Sequence, residues 1–160
     1  MNAGDGAAGA IGDGAGMRET ARGTMHAWQC DHMGHVNVRA YGDRFEEACW
    51  QYYAMLGITP ARLRNRDIHM AAVQQDVAYR KELLGGDVVA VRTRMLDARE
   101  KVLRFQHEML NCETGDVCAT CTYTVVCLDP LARRSQPFPS DILERARAFL
   151  AEATPAGPSR

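Results

Sequence analysis

One segment of helical periodicity is apolar on most of its sides, and it limits the folds available to this chain. Between residues 38 and 56 the apolar side chains follow helical spacing and spread well beyond one face: Tyr41, Phe45, Ala48, Cys49, Trp50, Tyr52, Tyr53, Met55 and Leu56. Asn37 is a suitable N-cap for this helix, and Gly57 followed by Pro60 is a suitable stop. A helix that is apolar nearly all round is normally wrapped by other parts of the chain.

Most of the chain after this helix has the pattern of β-strands. The segments are rich in β-branched and aromatic residues or alternate apolar and polar side chains, at residues 70–83, 87–98, 102–111 and 117–128. Turn signals at 85–87 and 114–116 indicate an antiparallel meander. We expect a short strand at Met25–Trp28 and a C-terminal helix at 139–153 that Ser140 caps. The combination predicts an α+β hot-dog fold, with an antiparallel sheet around the long helix.

The length of 160 residues fits one domain. Residues 1–22 are mostly Gly, Ala and small polar residues, which cannot bury enough apolar area to offset the entropy lost on ordering. We therefore expect a disordered tail at 1–22, a single domain at 23–153 and a frayed C-terminus at 154–160. The sequence leaves open whether translation starts at Met1 or Met17.

The charge and hydropathy of the chain bear on its partners. A formal net charge of −1 gives no indication of a nucleic-acid surface. No stretch approaches the roughly 18–20 apolar residues of a membrane span, and the N-terminus lacks the pattern of a secretory signal. We expect a cytoplasmic protein without nucleic-acid or membrane partners.

Asp31 lies in a polar loop six residues before the predicted helix cap Asn37. Helix N-termini carry partial positive charge and unpaired N–H groups, which favour an ionised carboxylate and can stabilise an oxyanion. A carboxylate beside an oxyanion donor is the minimum equipment for acyl transfer. From spacing alone, a turn or capping role is the more common one for such an aspartate.

The residues around Asp31 form a longer pattern, D-x-x-x-H-V-N-x-x-x-Y-x-x-x-F-E-E. The chain supplies it with Asp31, His35, Val36, Asn37, Tyr41, Phe45, Glu46 and Glu47. This pattern resembles the signature of the 4-hydroxybenzoyl-CoA thioesterase family of hot-dog proteins. The resemblance extends over about residues 24–145 and implies hydrolysis of a small or medium acyl-CoA to free acid and coenzyme A.

The resemblance implies roles for the residues of the loop and the helix start. Asp31 would attack the thioester carbonyl or activate water, and the backbone N–H of Val38 would contact the oxyanion. His35 would fix the loop or take a direct catalytic part. Gly34 would let the loop pass close to the acyl group. The helix cap would also hold the loop, and Tyr41 would line the acyl pocket or pack behind it.

The resemblance also implies partners. Family members carry a basic run in the turn between the third and fourth predicted strands, where Arg99 and Lys101 would contact coenzyme A and Glu100 interrupts the run. The resemblance implies a homodimer whose sheets join, on its own or assembled to a homotetramer, with active sites at the dimer interface. A substrate on an acyl-carrier protein is a further possibility.

Two other functions and one other site type compete with this interpretation. Asp31 and His35 resemble the His–carboxylate pair of a hot-dog hydratase or dehydratase acting on enoyl or hydroxyacyl thioesters. A non-catalytic acyl-thioester binding module would keep the pocket and lose the chemistry. His26, Cys30, His32 and His35 do not have the paired spacing of zinc ligands, so we expect no metal and no cofactor.

Overall fold

An antiparallel sheet forms the main layer of the protein in the computed structural model, which describes residues 14–154. Its strands within that range are β1 (Arg18–Thr24), β2 (Met70–Tyr79), β3 (Val88–Ala98), β4 (Val102–Asn111), β5 (Val117–Asp129) and the short β6 (Arg134–Ser135). The strand order is β1-β3-β4-β5-β2, and β6 pairs with β5. The sheet curls as a half-barrel beside the long helix, which confirms the predicted α+β hot-dog fold.

The predicted meander of four strands is wrong in its first member. Strands β3, β4 and β5 follow one another, but β2 lies beyond β5 at the far edge of the sheet. The segment between β2 and β3 is too long for a tight hairpin, and hydrogen bonds to β5 hold its first residues. The backbone N–H groups of Arg80 and Lys81 both donate to the carbonyl of Cys118, and Leu83 is fully buried. The chain therefore crosses the sheet instead of turning back on β2.

The start of the domain also differs from the prediction. Arg18–Thr24 forms β1 and pairs with β3, although residues 18–22 belong to the expected disordered tail. Only Thr20 of this strand is buried, so backbone pairing at the edge of the sheet orders it without an apolar pattern. The expected strand at Met25–Trp28 is instead a 3₁₀ turn at Ala27–Gln29. Residues 1–13 and 155–160, which hold most of both expected tails, lie outside the described residues.

Three α-helices complete the described part: α1 (Val38–Met55), α2 (Pro60–Arg64) and α3 (Ser140–Ala153). Asn37 caps α1 as predicted, because its side chain accepts a hydrogen bond from the N–H of Arg39. The predicted cap of α3 is wrong, since Ser140 is its first helical residue and Pro139 precedes it without a side-chain cap. No described helix has the combination of length and hydrophobicity that crossing a membrane requires.

Helix α1 contacts β1 and β3 and buries one face against the sheet, with Ala40, Tyr41, Phe45, Ala48, Cys49 and Tyr52. The expected wrapping is incomplete, because Trp50 keeps 46% of its surface exposed and Met55 keeps 38%. Strand β2 is exposed along nearly all of its length. The open side of the molecule therefore runs along α1 and β2.

Candidate active site

Asp31 begins a tight turn, residues 31–35, which we call the Asp31 turn. Its backbone N–H donates to the carbonyl of His35 over 2.8 Å, and its carbonyl accepts from Gly34 over 3.1 Å. The Asp31 carboxylate accepts a hydrogen bond from the N–H of Met33, over 2.8 Å. Two further hydrogen bonds, from Val36 to the Leu83 carbonyl and from Asn37 to the Gln29 carbonyl, hold the turn against its neighbours.

Gly34 has a backbone φ of +79°, a conformation that glycine adopts without strain. A β-carbon at this position would meet no atom within 4 Å. The backbone angle, and not a close approach within the chain, is therefore what requires glycine here.

The start of α1 presents a free N–H group at Val38. The Asn37 side chain accepts a hydrogen bond from the N–H of Arg39 over 3.0 Å, and the Asn37 carbonyl accepts one from the N–H of Ala40 over 2.9 Å. The N–H of Val38 donates to no acceptor within residues 14–154. Such an unpaired first-turn donor, at the positive end of the helix dipole, is suited to a developing oxyanion.

Asp31 and Val38 line the same open pocket, which has a volume of about 290 Å³. The pocket walls come from the Asp31 turn, the start of α1 and the chain after β2, with Asp31, His35, Val36, Val38, Tyr41, Tyr79, Arg80, Lys81 and Glu82. Four of the predicted site residues therefore meet here: Asp31, His35, Val38 and Tyr41. The segment 79–82 was not predicted as part of the site, although its residues belong to the resemblance.

His35 has a carboxylate partner in the pocket, and that partner is Glu82. The His35 Nε2 lies 3.3 Å from Glu82 Oε2, with the histidine about one-third exposed and the glutamate largely exposed. The predicted pair of His35 with the Asp31 side chain does not form. The Asp31 carboxylate instead accepts a hydrogen bond from the N–H of Met33.

Tyr41 closes the inner side of the pocket. Its hydroxyl donates to the carbonyl of Lys81 over 3.4 Å, and its ring packs edge-to-face on Tyr79 at 5.3 Å. Desolvation by burial raises the pKa of Tyr41, so its hydroxyl stays protonated at neutral pH. The Tyr41 side chain therefore lies in the pocket wall, against the end of β2 and the segment that follows it.

Arg99 and Lys101 do not line this pocket. They lie in the β3–β4 hairpin, where Arg99 pairs with Asp97 over 2.7 Å and the carbonyl of Lys101 accepts from Cys127. Along β5, Cys127 is eight residues from Ala119, which pairs with Tyr79 at the pocket. At about 3.3 Å per residue, the hairpin and the pocket of one chain are about 26 Å apart.

Within residues 14–154, no group of three or more His, Cys, Asp or Glu side chains is arranged to hold a metal ion. His26, one of the histidines near the Asp31 turn, instead stacks its ring on Trp28 with 4.1 Å between centroids.

The fold is similar to that of solved thioesterases. A Staphylococcus aureus protein solved in complex with CoA is 18% identical over 89% of this chain and 90% of its own, with a TM-score of 0.79. A Thermus thermophilus thioesterase complexed with coenzyme A and zinc is 27% identical over 87% and 97%, with a TM-score of 0.71. The DHNA-CoA thioesterase of Staphylococcus aureus is 19% identical over 88% and 97%, with a TM-score of 0.73.

A search of curated protein sequences gives no match. The model of the thioesterase-like superfamily matches residues 25–146, which is most of the chain. The protein therefore belongs to the thioesterase-like superfamily.

Proposed function

We propose that the protein hydrolyses the thioester of a small or medium acyl-CoA to the free acid and coenzyme A. The observation that carries this proposal is the shared pocket of the Asp31 carboxylate and the unpaired N–H of Val38. Membership of the thioesterase-like superfamily supports the reaction class.

In this mechanism the thioester carbonyl oxygen accepts a hydrogen bond from the N–H of Val38. Asp31 then attacks the carbonyl carbon itself, or takes a proton from a water that attacks. In the first route the acyl group is left on Asp31 as an anhydride, and water hydrolyses this anhydride to the free acid and restores the carboxylate. Negative charge on the carbonyl oxygen is stabilised by the helix start, and the thiolate of coenzyme A leaves. A thiol with a pKa of about 8.5 leaves without a strong acid, so the site needs no dedicated proton donor.

Coenzyme A as the carrier is supported by two of the similar structures, which contain it. The pocket also holds Arg80, whose guanidinium makes no ion pair within the described residues. A cation at the edge of the pocket suits a substrate with phosphate groups.

We propose that the working unit is a homodimer built on the outer edge of β2, on its own or within a tetramer. That edge has no partner strand within residues 14–154, and it exposes Val73, Val77 and Tyr79. An unpaired edge with exposed apolar side chains is a template for pairing with another chain.

A two-fold axis at this edge pairs β2 with its copy in antiparallel orientation. The Met70 end of one β2 then lies beside the Tyr79 end of the other. The β3–β4 hairpin is at the Met70 end, so the partner subunit would bring its hairpin to the end that holds this chain's Asp31 pocket. The proposed contact of Arg99 and Lys101 with coenzyme A therefore requires the dimer.

Substitution of Asp31 by Asn tests the proposal. The Asp31→Asn variant should fold normally and lose thiol release from acyl-CoA by about 100-fold or more. Glu144→Gln, on the exposed face of α3, is the control for the loss of one surface carboxylate and should keep full activity. Unchanged turnover in Asp31→Asn, over a panel of acyl-CoA substrates, would contradict the role of Asp31.

A second function is favoured by one observation, the pair of His35 and Glu82 inside the pocket. A His–carboxylate pair is the equipment of a hot-dog hydratase or dehydratase. Incubation with an enoyl-CoA separates the two functions, because hydration without release of thiol would favour the hydratase.

A further inference from the structure

A second pocket lies beside the first, on the other side of the start of α1. It has a volume of about 470 Å³ and is lined by Trp28, Gln29, Cys30, Asn37, Arg39, Ala40 and Asp43. The two pockets share a wall, since Cys30 precedes Asp31 in the chain and Asn37 precedes Val38. A ligand long enough to cross this wall can occupy both.

Trp28 is unusually open to solvent, with 79% of its surface exposed. Tryptophan is on average a highly buried residue, so an exposed indole needs a reason. One face of its ring is covered by His26, with 4.1 Å between centroids and only 8° between the ring planes. This stack holds the indole flat and leaves its other face as a platform for a planar aromatic group.

Arg39 and Asp43 line the same pocket, one turn apart on α1. Neither side chain makes a hydrogen bond or an ion pair within the described part of the chain, and the Arg39 side chain is exposed. A guanidinium is suited to binding phosphate groups, and a carboxylate accepts hydrogen bonds from amino or hydroxyl groups. Trp28, Arg39 and Asp43 together therefore match a purine nucleotide.

We propose that this pocket binds the adenine nucleotide of the coenzyme A substrate. Adenine stacks on the free face of Trp28, a phosphate pairs with Arg39, and Asp43 accepts from an amino or hydroxyl group of the nucleoside. The assignment rests on the proposed thioesterase function, because the nucleotide is joined by the pantetheine arm to the thioester beside Asp31. It requires no residue of a partner subunit, in contrast to Arg99 and Lys101.

Kinetics with two substrates test the assignment. Acyl-CoA carries the nucleotide and the corresponding acyl-pantetheine lacks it. Trp28→Ala and Arg39→Ala should each raise KM for acyl-CoA between about 5-fold and 100-fold, with kcat nearly unchanged. KM for acyl-pantetheine should not change. Trp28→Phe should retain most of the affinity, since a phenyl ring still stacks.

A binding measurement is independent of turnover. The chain has two tryptophans, so Trp50→Phe leaves Trp28 as the single reporter. Adenosine 3′,5′-bisphosphate should quench its fluorescence, and Arg39→Ala should weaken the quenching. This measurement supports or overturns the nucleotide site even if no thioester is hydrolysed, which separates its failure from that of the proposed function.

Three results would overturn the assignment. The first is an unchanged KM for acyl-CoA in Trp28→Ala, with the loss appearing only in the Arg99→Ala, Lys101→Ala double variant. The second is an equal rise of KM for acyl-CoA and acyl-pantetheine. The third is a lower oligomeric state of Trp28→Ala in sedimentation, which would identify Trp28 as an interface residue.

Discussion

His35 Nε2 lies 3.3 Å from Glu82 Oε2, and this pair joins the Asp31 turn to the segment that follows β2. It adds a side-chain contact between two sides of the pocket that the hydrogen bond from the Val36 N–H to the Leu83 carbonyl already joins. Because His35 is about one-third exposed and Glu82 largely exposed, the pair contributes at most about 1 kcal/mol. In a thioesterase that relies on Asp31, His35 and Glu82 position the turn and do not carry the reaction.

The isosteric change Glu82→Gln distinguishes these roles. We expect thiol release to fall less than about tenfold, since only a weak positioning contact is lost. Glu113→Gln, on an exposed turn, is the control for the loss of one surface charge. A loss as large as that of Asp31→Asn would contradict the positioning role and make Glu82 a second catalytic carboxylate.

The capping side chain of Asn37 sets the position of the Val38 N–H. Asn37→Ala should lower the free energy of unfolding by about 1 kcal/mol and also lower kcat, because the first turn of α1 loses its anchor. Thr59 offers a matched control, since its side chain caps α2 by accepting from the N–H of Arg62. Thr59→Ala should lose stability and keep kcat. Denaturant unfolding measures the stability of the two variants, and thiol release measures their kcat. Equal kcat in both variants would show that the cap of α1 has no part in catalysis.

Two glycines with open surroundings should respond in opposite directions. A β-carbon meets no atom within 4 Å at either Gly34 or Gly42. Gly34→Ala should destabilise by about 1 kcal/mol, because φ is +79° there. Gly42→Ala, inside α1, should stabilise by about 0.5–1 kcal/mol. Thermal unfolding compares them, and a destabilising Gly42→Ala would place a partner subunit against that face of α1.

A lysine on the outer edge of β2 should prevent the proposed dimer. Val77 is 37% exposed on this edge strand, and a charge there opposes pairing of its outer edge with a second copy. Val88, 44% exposed on β3, is the control because β1 and β4 already flank its strand. Val77→Lys should sediment as a monomer with little thiol release, and Val88→Lys should resemble the native protein. A dimeric Val77→Lys would place the interface elsewhere.

The periodicity of the sequence correctly predicted the elements that depend on local interactions. The range 102–111 of β4 and the start of α1 at Val38 agree with the structure, because alternation and helical spacing are strong there. Strand β1 was missed since its order comes from backbone pairing with β3, which polar side chains such as Arg22 do not reveal. The position of β2 beyond β5 depends on where the following segment is anchored, and no spacing in the sequence encodes that.

The residues of the candidate site likewise fall into those that are close in sequence and those that only the folded chain or a second subunit brings near. Asp31, His35 and Val38 lie within eight residues of one another, so the loop and helix start alone bring them together. Glu82 joins them through a crossing of the sheet, which a one-dimensional pattern does not contain. Arg99 depends on a further step, the geometry of a second subunit.

A chain of hydrogen bonds through the core fixes the protonation of His107. Thr20 Oγ1 donates to the carbonyl of Val91 over 3.2 Å and therefore accepts from Thr93 over 2.7 Å. Thr93 Oγ1 in turn accepts from His107 Nδ1–H over 2.6 Å. His107 Nε2 is left to accept from the Cys49 thiol over 3.2 Å. The imidazole is neutral in this arrangement, and both of its nitrogens are satisfied.

Burial lowers the pKa of His107 to about 3, against 6.5 for an unperturbed histidine. Between these values the unfolded chain binds one proton more than the folded chain, so acidification removes stability. Well below pH 6.5 this group should lower the free energy of unfolding by about 1.4 kcal/mol per pH unit. His107→Gln lacks this contribution, so its stability deficit relative to the native protein should shrink as pH falls from 7 to 4. Denaturant unfolding at several pH values measures the deficit, and a constant deficit would mean that the pKa of His107 is not lowered in the folded protein.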